Sequence, residues 1–171
     1  IRHPIWVSEF AWFTNPPDAL IGDPGPTAAR FVAYSLYEMW HSGVDLVIWQ
    51  QVEDTPAADP SGGGLYTASG VPKLMLTAYA FPFVASVGGH AGFAWGRAPA
   101  AARRTVWVQR LSGGRWRTVA TARSSRDGTF VVRFHAPGNG LYRARVLGGP
   151  TSLTYDSQSI PPRRTHLRNT G

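Results

Sequence analysis

Glu9 stands at the end of a short β-rich run, Pro4-Ile5-Trp6-Val7-Ser8-Glu9-Phe10, with Trp6, Trp12 and Phe13 around it in sequence. Trp49 closes a second apolar run, Asp45-Leu46-Val47-Ile48-Trp49. A carboxylate among aromatic rings suits a sugar. The apolar C–H faces of the ring stack on indole while the carboxylate meets the anomeric carbon. In an α/β barrel the active site gathers at the carboxyl ends of the strands, so an acid in that place projects into it. A glutamate leaving a strand is also the ordinary form of a solvated or ion-paired strand end. The residue types alone leave both readings open.

Other groups offer less. Glu53 and Asp54 follow Trp49 by four and five residues in a loop that would overhang such a site; a loop ion pair or a subsite hydrogen bond is expected there. Glu38 falls within a helical stretch, on its solvated side. Asp18 and Asp23 lie in the Pro- and Gly-rich loop after Glu9, where Asx turns are the common use of such residues. The five His (His3, His41, His90, His135 and His166) show no ligand spacing, so no metal site is expected, and no cofactor. Zero Cys excludes a thiol nucleophile, a zinc knuckle and a disulfide scaffold. Gly62-Gly63-Gly64 lacks the Lys-Ser/Thr and preceding strand of a phosphate loop and reads as a flexible hinge. No Gly-x-Ser-x-Gly turn surrounds Ser8.

The elements that must position Glu9 and Trp49 follow from pattern. Ala28 to His41 is free of Gly and Pro, with Thr27 where an N-cap belongs and Gly43 as the residue after the cap, so a helix is predicted. Lys73 to Ser86 reads as a second helix that Pro82 must kink or end. Strand–helix–strand–helix with nearly continuous apolar strands implies a parallel α/β unit covered on both faces. Two strands cannot close a core, so this half reads as the tail of a larger sheet or barrel.

From Thr105 onward the period switches to two. Thr105–Arg110, Arg115–Ala122, Thr129–Phe134 and Leu141–Val146 are separated by Gly and Asp-Gly turns, with weaker strands at Gly92–Trp95 and Ser152–Tyr155. That spacing predicts an antiparallel sandwich. Phe130, Val132 and Phe134 alternate inward, as do Tyr142, Ala144 and Val146, which sets Arg133, Arg143 and Arg145 outward together.

Charge divides the chain the same way. Residues 1–88 hold three bases against eight acids, net −5, and residues 89–171 hold fourteen Arg against two acids, net +12. Sixteen of the seventeen bases are Arg, a bias of the whole chain rather than a nucleic-acid footprint, and no recognised nucleic-acid motif accompanies it. No apolar run approaches the roughly 20 residues of a membrane helix.

Ile5-Trp6-Val7-Ser8-Glu9-Phe10-Ala11-Trp12 resembles the seventh barrel strand of clan A glycoside hydrolases, whose usual form is a Trp-Val-Thr-Glu-Phe-Gly-Trp run. Gly43-Val44-Asp45-Leu46-Val47-Ile48-Trp49 is similar to the eighth strand. Gly64-Leu65-Tyr66 and Gly70-Val71-Pro72-Lys73 resemble the entry to the final barrel helix. Ser8 for Thr, Ala11 for Gly and Leu74 for Pro depart from the family pattern. The resemblance covers residues 5 to 84. It implies that Glu9 is the nucleophile of a retaining enzyme and that Trp49 floors the subsite of the reacting sugar, with Trp12 and Trp6 as further stacking residues. It also implies an acid/base Glu, after Asn on the fourth strand, that this chain does not contain.

The expected architecture is therefore α/β plus all-β. Residues 1–88 are the last two strand–helix units of a (β/α)8 barrel, residues 89–156 an Ig- or fibronectin-like sandwich, and residues 157–171 a disordered tail. The expected partner is a carbohydrate, with no nucleic acid or membrane, and the family implies a secreted, extracellular protein. The alternative from another class is a non-catalytic sandwich that binds carbohydrate or protein, with Trp107, Gln109 and the Arg row meeting an acidic polysaccharide.

Overall fold

The computed structural model describes residues 3–55, 62–99 and 102–158. In its amino-terminal half, β1 (Trp6–Phe10) leads through two short strands, β2 (Thr14–Asn15) and β3 (Asp23–Pro24), into α1 (Gly25–His41) and then β4 (Leu46–Trp49). β1 and β4 pair in parallel, Trp6 opposite Leu46 and Val7 opposite Val47. This is the expected strand–helix–strand unit. An irregularity between Val7 and Phe10 brings Phe10 opposite Trp49. β2 and β3 also pair in parallel, within the stretch expected to lack regular structure.

α1 begins at Gly25, three residues before the predicted start, with Pro24 as N-cap and no side-chain cap. Pro26 is tolerated in the first turn because an N–H there has no intrahelical acceptor. The other end follows the sequence reading. Gly43 has φ +84°, its N–H donates to Trp40 O, and Val44 N–H donates to Met39 O, closing a Schellman motif.

The second predicted helix is shorter than expected. α2 spans Leu74–Ala80, and Phe83–Gly88 is a strand, β5. Pro82 disfavours helical geometry in the residue before it, so Phe81 leaves the helix and the apolar run beyond pairs instead. β5 forms a hairpin with β6 (Ala91–Arg97) through Gly89 (φ +62°) and His90. The expected boundary between residues 88 and 89 thus falls inside a hairpin, and the sandwich begins at Phe83.

Five more strands complete it: β7 (Thr105–Ser112), β8 (Arg115–Arg123), β9 (Thr129–His135), β10 (Leu141–Val146) and β11 (Tyr155–Asp156). One sheet has the order β5-β6-β9 and the other β11-β10-β7-β8, and all their pairings are antiparallel. Two-residue turns such as Gly113-Gly114, both at positive φ, match the twist of the strands they join. Gly92 and Gly96 lie opposite Phe134 and Phe130, and a Cβ at either would stand 2.4–2.5 Å from that ring. Their hydrogens make room for the phenyl groups.

Phe130, Tyr142, Ala144 and Val146 face inward as predicted. The Arg row does not stand together. β9 and β10 belong to opposite sheets, so Arg133 faces out on one side of the sandwich and Arg143 and Arg145 on the other. Of residues 157–171, Ser157 is buried and its N–H donates to Gly140 O, so it belongs to the fold; residues 159–171 lie outside the described residues.

Two cores meet on α1. Ala28, Ala29 and Val32 pack with Met75 and Ala78 of α2, while Ala33 and Tyr37 join the sandwich core with Phe83, Trp95, Val106 and Phe130. Tyr37 lies 5.5 Å from the Trp95 ring and 5.9 Å from Phe93.

Candidate functional site

Glu9 and Trp49 lie near the ends of two neighbouring parallel strands. Glu9 is exposed, one residue before Phe10, which lies opposite Trp49. The Trp49 ring is fixed on three sides. Phe10 meets it edge-on at 5.2 Å, Tyr79 of α2 lies 5.4 Å away, and the indole N–H donates to Gly63 O at 2.9 Å. A ring held this way can offer an apolar face without losing further rotamer freedom on binding.

Gln50, which the sequence reading passed over, completes the pair. Its backbone N–H donates to Phe10 O at 2.9 Å. With its amide oriented to suit its neighbours, the side-chain nitrogen lies 3.2 Å from each carboxylate oxygen of Glu9 and donates to the carboxylate. Its signal in the sequence was position alone, one residue after the strand-end Trp49. Which strand stands beside Glu9 is a tertiary fact.

The other two aromatic candidates stand elsewhere. Trp12 is committed to α1: its indole N–H donates to Ser35 Oγ at 3.0 Å and its ring packs on Phe31 at 4.8 Å. Trp6 begins β1, opposite Leu46, and is 66% exposed. At about 3.3 Å per residue, three residues place it roughly 10 Å back along the strand from Glu9.

Asp54 forms a buried ion pair with Lys73 at 2.7 Å and also accepts from Gly64 N–H at 2.8 Å. Lys73 Nζ donates in addition to Gly62 O. Asp18 Oδ1 accepts from Leu20 and Ile21 N–H, an Asx turn. The glycine run expected to be a hinge is instead a buried crossing. A Cβ on Gly62 would stand 2.4 Å from Thr14 O, and one on Gly64 would stand 2.3 Å from Asp54 N. Backbones pass here too closely for a side chain, and that need, not flexibility, accounts for the glycines.

A cavity of about 300 Å³ lies at the seam of α1, the end of α2 and the sandwich, lined by Arg30, Phe81, Leu153 and Tyr155 among others. Glu9, Trp49 and Gln50 do not line it. Burial pushes the Tyr155 phenol far above its usual range, which suits a packed seam. Among the described residues no cluster of His, Asp and Glu could hold a metal, and no helix is long and apolar enough to cross a membrane. No protein-family model matches the chain, and no curated protein matches it.

Proposed function

We propose that this chain carries the nucleophile half of a retaining β-glycosidase active site, the rest of the barrel being supplied by polypeptide upstream of residue 1. The observation that carries the reading is the pairing at the strand ends: Glu9 and Trp49 on neighbouring parallel strands, with the Gln50 amide on the Glu9 carboxylate. A retaining enzyme needs a second carboxyl about 5–5.5 Å from the first. Among the described acids, Asp54 is taken by Lys73 and Asp18 by its own turn. The resemblance, not elimination, places the acid/base on an upstream strand.

The uncovered strand face supports the same reading. Trp6, Leu46 and Ile48 are 66, 40 and 47% exposed, an apolar surface of the kind that further strands cover. In the mechanism, Glu9 attacks the anomeric carbon as the upstream acid protonates the leaving oxygen; water then cleaves the glycosyl-enzyme. Trp49 holds the ring and Gln50 holds the carboxylate. The substrate is a polysaccharide or oligosaccharide of the extracellular space, and the strand order of the sandwich, three strands against four, supports the fibronectin-like reading of that part.

The test uses the chain joined to its upstream barrel. Glu9→Gln keeps the shape and removes the attacking charge, so turnover falls by about 10⁴-fold or more, over roughly 5 kcal/mol of barrier, with the melting temperature unchanged. Azide partly restores Glu9→Ala on a substrate with a good leaving group and gives product of inverted configuration, because one displacement replaces two. A folded Glu9→Gln enzyme within about tenfold of wild-type turnover would end the assignment.

A further inference from the structure

The outer face of the four-stranded sheet carries a second arrangement that the strand-end site does not use. Residues directly opposite one another in a sheet share a face. Gln109 lies opposite Arg143, Trp107 opposite Arg145, and Leu111 opposite Trp116. Alternation along β7 puts Trp107, Gln109 and Leu111 on one side, so both tryptophans and both arginines look out together. The Arg143 guanidinium carbon lies over the Trp116 ring, 4.1 Å from its centroid, and its Nε donates to Gln109 Oε1 at 2.9 Å. Gln109 is itself buried, at 6% exposure, so the guanidinium is held by a fixed partner.

Arg143 and Arg145 form no ion pair among the described residues. Burial and the like charge of Arg145 together lower the Arg143 pKa. Of the two acids in this half, Asp127 is in the turn after β8, and Asp156 is at the sheet edge opposite Leu141. Two guanidinium groups side by side, one of them pre-oriented and both unneutralised, create a site for carboxylate, which the planar fork of Arg meets with two parallel hydrogen bonds.

We propose that this face binds an acidic polysaccharide, its uronate carboxylates on Arg143 and Arg145 and a sugar face on Trp107. The choice of a glycan rests on the reading of the Glu9 site. It is favoured over nucleic acid because a guanidinium pair, one member of it held in place, beside an indole suits spaced carboxylates, whereas a phosphate backbone needs a longer basic track.

Titration calorimetry of the full chain tests it, with polygalacturonate, the same polymer fully methyl-esterified, and single-stranded oligothymidylate at one ionic strength. Polygalacturonate should bind, and esterification should weaken binding at least tenfold. Arg145→Gln, at an exposed position, and Arg143→Gln should each cost a comparable factor. Arg133→Gln removes the same charge from the opposite sheet and should change nothing. Absence of binding, equal binding of the esterified polymer, an equal loss in Arg133→Gln, or tighter binding of the oligonucleotide would each overturn the proposal. Binding is read here by calorimetry and the hydrolase reading by turnover of Glu9→Gln, so loss of the hydrolase reading and loss of this one register in different measurements.

Discussion

In the β1–β4 pair the apolar side chains are left half in solvent, Leu46 and Ile48 at 40 and 47% exposure. In the sandwich the corresponding positions are closed, with Val106, Val108, Tyr142 and Ala144 at 0%. Both regions are rich in β-branched and aromatic residues, so composition does not explain the contrast. Connectivity does. Antiparallel strands joined by two-residue turns bring their own partners with them, and two sheets then cover each other. A parallel pair spends its connection on a crossover helix and still exposes one sheet face and two edges. Beyond the small core between α1 and α2, the Asp54–Lys73 pair and the glycine crossing tie the loops of the first region together at the strand ends, beside Trp49.

The contrast is broken most severely by cutting the sandwich at its expected boundary. A chain starting at Gly89 loses β5 and with it the buried Phe83, Val84 and Ala85, leaving β6 as a bare edge. It should show no cooperative thermal transition, whereas residues 82–158 retain every strand and should show one. Equal cooperativity in both would mean that β5 is dispensable.

Next in size is the polar tie of the first region. Asp54→Ala strands a Lys73 side chain that is only 9% exposed, and should cost about 3–5 kcal/mol in urea denaturation. Adding Lys73→Met should recover most of that loss. A single-variant effect below about 1 kcal/mol would show that the pair does not order the loop.

The seam between the regions is tested by a double-mutant cycle. Tyr37 of α1 packs on Trp95 of β6, so Tyr37→Ala and Trp95→Ala should be non-additive by about 0.5–1.5 kcal/mol. Additivity within about 0.3 kcal/mol would make α1 and the sandwich neighbours rather than one packed body.

The smallest effect belongs to the turn after β8. Hydrogen bonds from Ser125, then from Thr129, outweigh partial burial and hold the Asp127 carboxyl below its ordinary 3.8. A depressed carboxyl adds stability above that value and loses it as pH falls through the folded pKa. Asp127→Ala should therefore cost less than about 1 kcal/mol at pH 7, solvent screening keeping it small. The gap to the parent chain should close in acid, as pH falls below the ordinary carboxylate range and through the lowered folded-state value. A gap that stays constant down to pH 2 would exclude the charge as its source.

Much of the second region was legible because its rules are local. Period-two alternation, Gly-Gly and Asp-Gly turns, and the inward rows from Phe130 and Tyr142 need only a few neighbouring residues to be read. The Schellman end of α1 at Gly43 is of the same kind. The stretch after Pro82 was misread because an apolar run without alternation fits helix or buried strand equally, and its partner β6 decided the matter.

Chain order and residue type by themselves determined that Glu9 would lie next to the end of one strand and Trp49 at the end of another, and that strands separated by tight turns would fold upon themselves. Tertiary structure decided everything that depends on which element stands beside which. It set Gln50 on Glu9, turned Trp12 toward α1, and put Arg133 on one side of the sandwich and Arg143 on the other. The same packing turned a presumed glycine hinge into a crossing too tight for a methyl group. Side-chain direction along one strand follows from backbone geometry and can be read from sequence spacing. Neighbourhood across strands depends on pairing and sheet membership, which are chosen by the burial of the whole chain at once.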